Sequence, residues 1–177
     1  MADTHKINRV EVRNLQMEDY AQLAQSFTRV YADKDVFWTR EQIHKLVEIF
    51  PEGQIVTVVD DRIVGCALSI IVDYDMVKGD HTYAKVTGNE TFSTHNPAGN
   101  ILYGIEVFIH PDYRGLRLAR RMYDYRKELC EKLNLKAIMF GGRIPNYHKY
   151  ADRMRPKEYI DCLLYTSPSP RDRTRSR

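Results

Sequence analysis

LYGIEVFIHPDYRGLRLARRMYDYRKELCEKL, residues 102–133, passes from a strand pattern through a proline and an Arg-Gly pair into an amphipathic helix. Along YGIEVFIH, Val107 and Ile109 fall on one face and Glu106 and Phe108 on the other, as the two-residue period of a strand requires. His110-Pro111 stops the strand, because proline brings no N–H to a ladder. Asp112-Tyr113-Arg114-Gly115 supplies the turn. Residues 116–133 then read as a helix, with a stripe of Ala119, Met122, Tyr123, Arg126, Leu129, Cys130 and Leu133, and with Leu116 and Leu118 anchoring its first turn.

A strand aimed at the start of a helix has a chemical consequence. The first helical turn carries free backbone N–H groups and the positive end of the peptide dipole, so an anion binds there. Gly115 lets the backbone approach a ligand with no side chain in the way. Arg114, Arg117, Arg120 and Arg121 crowd the same joint, and the planar guanidinium fork suits phosphate. Cations at a helix N-terminus are unfavourable by themselves, so four of them favour a phosphate or pyrophosphate site over a merely solvated basic turn.

Outward from the joint, residues 7–15 alternate like a strand and residues 16–31 place Met17, Tyr20, Leu23, Ala24 and Phe27 at helical spacing. A second helix begins at Thr39 with Gln42 three residues on, a capping-box pattern, and buries Ile43, Leu46, Val47 and Phe50 before Pro51 and Gly53 end it. QIVTVVD and DRIVGCALSIIVDY read as strand, turn and strand, bent at Asp60-Asp61. Residues 75–100 are polar and broken and read as a long loop with at most one short element. A last strand covers residues 136–141. The sum is an α/β domain with a mixed central sheet flanked by helices.

The 177 residues suffice for one domain, and 43% apolar content is ordinary for a globular fold. The net charge of +3 resides in residues 162–177, with four Arg and one Asp; the remaining 161 residues carry 23 basic and 23 acidic groups. A body of zero net charge gives no field for nucleic acid. No apolar window is long enough to span a membrane, and the N-terminus lacks an apolar signal core, so a cytoplasmic setting is expected. Cys66, Cys130 and Cys162 form no paired motif, and no cluster has metal-ligand spacing, so neither a disulfide frame nor a metal is expected.

The joint resembles motif A of the GCN5-related N-acetyltransferase (GNAT) superfamily: Arg or Gln, two residues, Gly, one residue, then Gly or Ala. The matching residues are Arg114, Gly115, Leu116, Arg117, Leu118 and Ala119, with Arg117 standing where the family has its central glycine. Helical geometry does not require glycine at that position. DYDMVKGDHTY, LYGIEVFIHPDYRGLRLARRMYD and GGRIPNYHKYAD with PKEYI further resemble a bacterial subgroup in which an acetyltransferase-like domain precedes a nitrilase-type carbon–nitrogen hydrolase domain. The resemblance covers residues 7–161 and implies the GNAT fold, incomplete at its C-terminus because the strands that close it in relatives do not follow. Residues 162–177 resemble translated sequencing-adaptor read-through, a non-native tail.

The resemblance implies acetyl-CoA as co-substrate and a small amine or peptide amine as acceptor, with a C-terminal hydrolase domain as partner in an intact protein. Backbone groups of Val107 and Ile109 would pair with the pantetheine arm. The amides of Gly115, Leu116, Arg117, Leu118 and Ala119 would hold the pyrophosphate, reinforced by Arg114 and Arg120 or Arg121. The strands at 102–110 and 136–141 would splay to admit the thioester. Acetyl transfer needs a neutral amine, a stabilised oxyanion and a protonated thiolate. Glu106 is the candidate base, with a structural ion pair to an arginine as its other reading. Tyr150 and Tyr147 are candidate acids, each also readable as a packing tyrosine. An acyl-CoA-binding or regulatory module without turnover is the alternative to an enzyme.

Overall fold

In the computed structural model, residues 7–31, 37–142, 144 and 146–166 are described. They fall into two compact units, Met1–Gly141 and Gly142–Arg177. The first unit carries a five-stranded sheet in sequence order, β1 (Val10–Asn14), β2 (Ile55–Val59), β3 (Arg62–Val72), β4 (Ile101–Ile109) and β5 (Ala137–Phe140). Neighbours run antiparallel until β5, which pairs with β4 in parallel. Helices α1 (Tyr20–Val30) and α2 (Arg40–Ile49) cover one face. Two short helices, α3 (Tyr74–Val77) and α4 (Tyr83–Thr87), lie in the β3–β4 connection, and α5 (Leu118–Lys132) covers the other face. This is the mixed sheet with flanking helices that the sequence implies.

Local chemistry places the elements. Thr39 accepts from the Gln42 amide while the Gln42 side chain accepts from the Thr39 amide, closing the expected capping box. The β2–β3 hairpin turns on Asp60 and Asp61, whose φ values of 45° and 64° give the left-handed pair that a tight hairpin demands. The Asp60 carboxylate then accepts from the amides of Asn8 and Arg9, which ties the chain entering β1 to the turn. Gln54 pins the sheet from within: its Nε2 donates to the carbonyls of Phe50 and Ser69, and its Oε1 accepts from the Ser69 amide.

Three expectations need correction. Residues 75–100 are not an open loop. Val77, Val86 and Phe92 are buried in the α1–α2 core, and Asn96 and Asn100 are tied to β3 by backbone bonds. Second, α5 starts at Leu118 rather than 116, because Gly115 (φ 87°) and Arg117 (φ 57°) both adopt left-handed backbone and cannot be helical. Arginine therefore occupies a conformation that glycine takes without strain, at a cost of about 1–2 kcal/mol. Third, the buried stripe of α5 is Leu118, Met122, Arg126, Leu129 and Cys130; Ala119 and Leu133 are exposed.

The second unit contains a 3₁₀ turn at Tyr147–Lys149 and α6 (Pro156–Thr166). Glu158 accepts from the Arg155 amide and pairs with its guanidinium, fixing the helix start. Tyr159 is buried, with the rings of Tyr147 and Tyr150 at centroid distances of 5.6 and 5.1 Å. Residues 167–177, most of the stretch read as a tail, lie outside the described residues.

Candidate functional site

The site begins where two strands part. β5 pairs with Ile101 to Gly104 of β4 and ends at Phe140, opposite Gly104. Beyond that rung, β4 continues to Ile109 with no strand on its outer edge among the described residues. The direction of its backbone groups follows from one bond. The His110 amide donates to Val64 on β3, so by the strand period Phe108 and Glu106 also turn toward β3. Val107 and Ile109 therefore turn their amides and carbonyls to the open edge, the two positions expected to pair with an extended ligand. The Val107 amide is engaged there by the Oε1 of Glu106 at 3.2 Å.

The open edge leads into a run of unused donors. Among the described residues, the amides of Gly115, Leu116, Arg117, Leu118, Ala119 and Arg120 donate to no acceptor, and intrahelical bonding resumes with Arg121 to the Arg117 carbonyl. No side chain caps α5 and no acidic residue stands in its first turn. The space above Gly115 is empty for 4 Å where a Cβ would project. Arg114, Arg117, Arg120 and Arg121 are all exposed around this loop, and Arg120 makes only a long contact of 3.9 Å with Asp124. Free amides, a helix dipole and exposed guanidinium groups leave this loop electropositive.

Glu106 reaches the site because β4 is bulged. Leu68 pairs with Glu106 and Ser69 with Gly104, so Ile105 is the extra residue. Tyr103 and Ile105 join the α1–α2 core, and Glu106 and Phe108 face the same side, so two neighbours share one face. Glu106 accepts from the Tyr31 hydroxyl at 2.9 Å. The expected alternative, an ion pair to an arginine, is not its arrangement among the described residues. Tyr83 donates at 3.4 Å to the carbonyl of Ile105, the bulged residue. Burial first, and then the charge of Glu106, push the Tyr83 hydroxyl well above the ordinary tyrosine range, so it stays protonated. His81 lies against Tyr103, its Nε2 3.4 Å from the Tyr103 hydroxyl. Cys66, fully buried and close to Glu106, has its thiol pushed up by burial and that charge, and is no nucleophile.

Tyr31, His81, Tyr83 and Arg126 are the neighbours that sequence reading left without a role. The last is treated below; His81 and Tyr83 belong to the segment read as a loop, where only their proximity to a strand would have marked them. In the second unit, the Tyr147 hydroxyl donates a hydrogen bond to the Met154 carbonyl at 2.8 Å, and Tyr150 is exposed beside Tyr159. A cleft of about 1260 Å³ lies between α1, the β2–β3 hairpin and the 110–116 loop. It shares Arg114 and Leu116 with the anion surface but is not lined by Glu106, Val107 or the first turn of α5, so it is not where the strands part.

Comparison with known proteins agrees with this geometry. Residues 10–151 match the acetyltransferase (GNAT) family. The chain is 38% identical over 155 residues to the probable hydrolase YhcX of Bacillus subtilis (strain 168), a match covering 85% of this chain and 29% of that protein. It is 28% identical to the uncharacterized N-acetyltransferase YkwB of the same organism, covering 92% of this chain and 73% of that protein. The chain thus spans less than a third of the first relative's length. Among solved structures, the loading GNATL domain of CurA from Lyngbya majuscula superposes with a TM-score of 0.73 at 20% identity, covering 93% of this chain and 77% of that one. At that identity the likeness is one of fold.

Proposed function

Because this chain belongs to the acetyltransferase (GNAT) family, a fold that generally binds acyl-CoA, we propose that it moves an acetyl group from acetyl-CoA to an amine. The observation that carries the proposal is continuity: among the described residues, the outer edge of β4 from Ile105 to Ile109 pairs with no strand and leads into six unused amides at residues 115–120. An extended pantetheine arm can complete the edge as an added strand while the diphosphate takes the amides. Gly115 and the exposed arginines fit that group; an acidic residue in the first turn would oppose it, and none is present.

Acetyl-CoA supplies the acyl carbonyl and a thiolate leaving group. Glu106 takes the proton of the attacking amine, held in position by the Tyr31 hydroxyl. The same Oε1 accepts from the Val107 amide, so an acyl chain that recruits this amide frees Glu106 to turn to the acceptor. Thiolate protonation needs a neutral hydroxyl. Tyr83 has one, two strand positions from Val107 along the Ile105 carbonyl. Tyr147 and Tyr150, the acids expected from the sequence, lie in the second unit, where Tyr147 already donates to the Met154 carbonyl.

The similarity to YhcX over 29% of its length favours a second reading, an acyl-CoA-binding or regulatory module joined to a carbon–nitrogen hydrolase domain. One pair of measurements separates the readings. Calorimetric titration of the chain with acetyl-CoA tests binding, and thiol release in the presence of an amine panel tests transfer. Binding with amine-dependent release supports the transferase, binding without release over a broad panel supports the module, and absence of binding defeats both.

A further inference from the structure

We propose that the acyl group accepted at the parting of β4 and β5 bears a carboxylate, and that Arg126 is its receptor. The inference rests on the reading of the β4 edge as an acyl-CoA site and, within that reading, replaces the acetyl group of the proposed transfer with a carboxylated acyl group.

Arg126 stands on the inward face of α5, 1% exposed, between Met122 and Leu129. Its Nε, Nη1 and Nη2 are all buried, and none has a hydrogen-bond partner among the described residues. A guanidinium keeps its charge and presents five donors that must be satisfied. Its recorded support is the ring face of Tyr123, with Cζ 5.6 Å from the centroid. Such a contact returns only a fraction of what desolvating the charge costs. A stripe position next to Met122 would be filled at lower cost by leucine or methionine. A buried cation with every donor unused is a receptor in want of an anion.

Its place says which anion. Gly104 is the last β4 residue paired with β5, and a Cβ there would fall 2.5 Å from Nη2 of Arg126 and 3.2 Å from Cβ of Phe140. The glycine is what makes room for the guanidinium, and the guanidinium sits at the apex where the strands part. The rings of Tyr123 and Phe140, 6.1 Å apart, lie beside it. Phe140 is 52% exposed, so its side chain can swing aside. A ligand lying along residues 109 to 105 from the amides of 115–120 brings its acyl end to this apex. Acetyl offers a guanidinium nothing there; a carboxylate on the acyl chain offers the two parallel acceptors that the arginine fork matches.

The 177-residue chain is titrated calorimetrically, at one salt concentration, with CoA, acetyl-CoA, butyryl-CoA, malonyl-CoA and succinyl-CoA, and separately with malonate, succinate and inorganic phosphate. The expected result is a preference of tenfold or more for one of the dicarboxylic thioesters over acetyl- and butyryl-CoA, with the free anions far weaker. Arg126→Met is expected to erase the preference and to raise the melting temperature of the ligand-free protein, because it removes an unpaired buried charge. Equal affinity for all four thioesters overturns the inference while leaving the acyl-CoA site standing. Free anions that bind as tightly as the thioesters overturn the acyl assignment, as does an Arg126→Met protein that melts lower with the preference intact. Should Arg126→Met fail to fold, the wild-type series decides alone. If CoA and every thioester fail to bind, the acyl-CoA site falls too, and the inference with it.

Discussion

Two substitutions at the anion loop perturb the backbone in opposite senses. Gly115 has φ 87° and nothing within 4 Å of where its Cβ would be; Arg117 has φ 57° and carries a full side chain. Gly115→Ala therefore adds left-handed strain with no steric clash, about 1–2 kcal/mol, partly offset by the lower entropy of the unfolded chain, about 0.4–1 kcal/mol. Arg117→Gly removes strain of the same size, against glycine's extra unfolded-state freedom of about 0.5–1 kcal/mol. Gly79→Ala is the control. It too has open space within 4 Å, but its φ is not positive, so only the entropy gain applies. The expected order of melting temperatures is Gly79→Ala above wild type and Gly115→Ala below it. The entropy gain is common to both, so their separation is the strain alone, about 1–2 kcal/mol, which corresponds to roughly 2–8 °C for a chain of this length. Arg117→Gly should equal or exceed wild type. Affinity for CoA is read on the same proteins. In Gly115→Ala, relaxation of the new alanine toward negative φ turns its amide, and losing one or two charge-assisted bonds weakens binding by about 1.5–3 kcal/mol each, tenfold or more. If Gly115→Ala melts with Gly79→Ala, the loop is not held in left-handed backbone. If it melts low but binds CoA as wild type does, the amides of 115–120 do not grip the diphosphate.

Further expectations follow from the same contacts. Glu106→Gln should lower amine-dependent thiol release by about 10²–10⁴-fold with CoA binding retained, measured at saturating thioester; an unchanged rate removes Glu106 as the base. Gly65→Ala places a Cβ 2.5 Å from Cδ1 of Ile109 and 2.6 Å from the Phe108 carbonyl oxygen, and the carbonyl belongs to a β3–β4 rung that cannot yield. Its cost should be about 1–3 kcal/mol by urea denaturation. Asp19 feels burial, which raises its pKa, but two bonds from Arg13 and one from the Gln16 amide outweigh it and hold the carboxyl below its ordinary range. A depressed folded pKa gives stability present above the unfolded value and lost as pH falls through the folded one. The gap between wild type and Asp19→Asn, about 1.5–3 kcal/mol at neutral pH, should thus close below about pH 4. A gap that is independent of pH contradicts the ion pair.

Much of the frame was legible because its signals are local. The capping box at Thr39 and Gln42, the Asp60-Asp61 turn and the proline stop after Ile109 each depend on a few adjacent residues, and each formed as read. The segment 75–100 was not legible. Its core residues, Val77, Val86 and Phe92, come from short turns, one apiece, so they carry no period to detect. Arg117 was misjudged for a different reason. The tolerance of helical backbone for any residue is correct, but the residue lies one step before the helix, in the left-handed conformation that favours glycine. Arg126 is visible in the helical stripe, yet its lack of a partner is a property of the whole packed interior and no spacing reveals it.

The bulge at Ile105 links these observations. On β4, Leu102 and Gly104 face α5, Tyr103 and Ile105 face α1, and strict alternation would send Glu106 back to the α5 side. With one extra residue, Glu106 and Phe108 face α1 instead, and Val107 and Ile109 turn to α5. The acid therefore shares a face with Tyr31, and with Tyr103 and its neighbour His81, while the edge that follows, its Val107 amide engaged by Glu106 itself, stays in line with the helix start. A regular strand would place Glu106 on the face occupied by Arg126. The two would form a buried pair, satisfying the cation and removing the base together. The single inserted residue keeps the carboxylate on one side of the parting strands and the guanidinium on the other. On the proposed reading, that separation leaves the first to take the proton of the amine and the second to hold a charged acyl group.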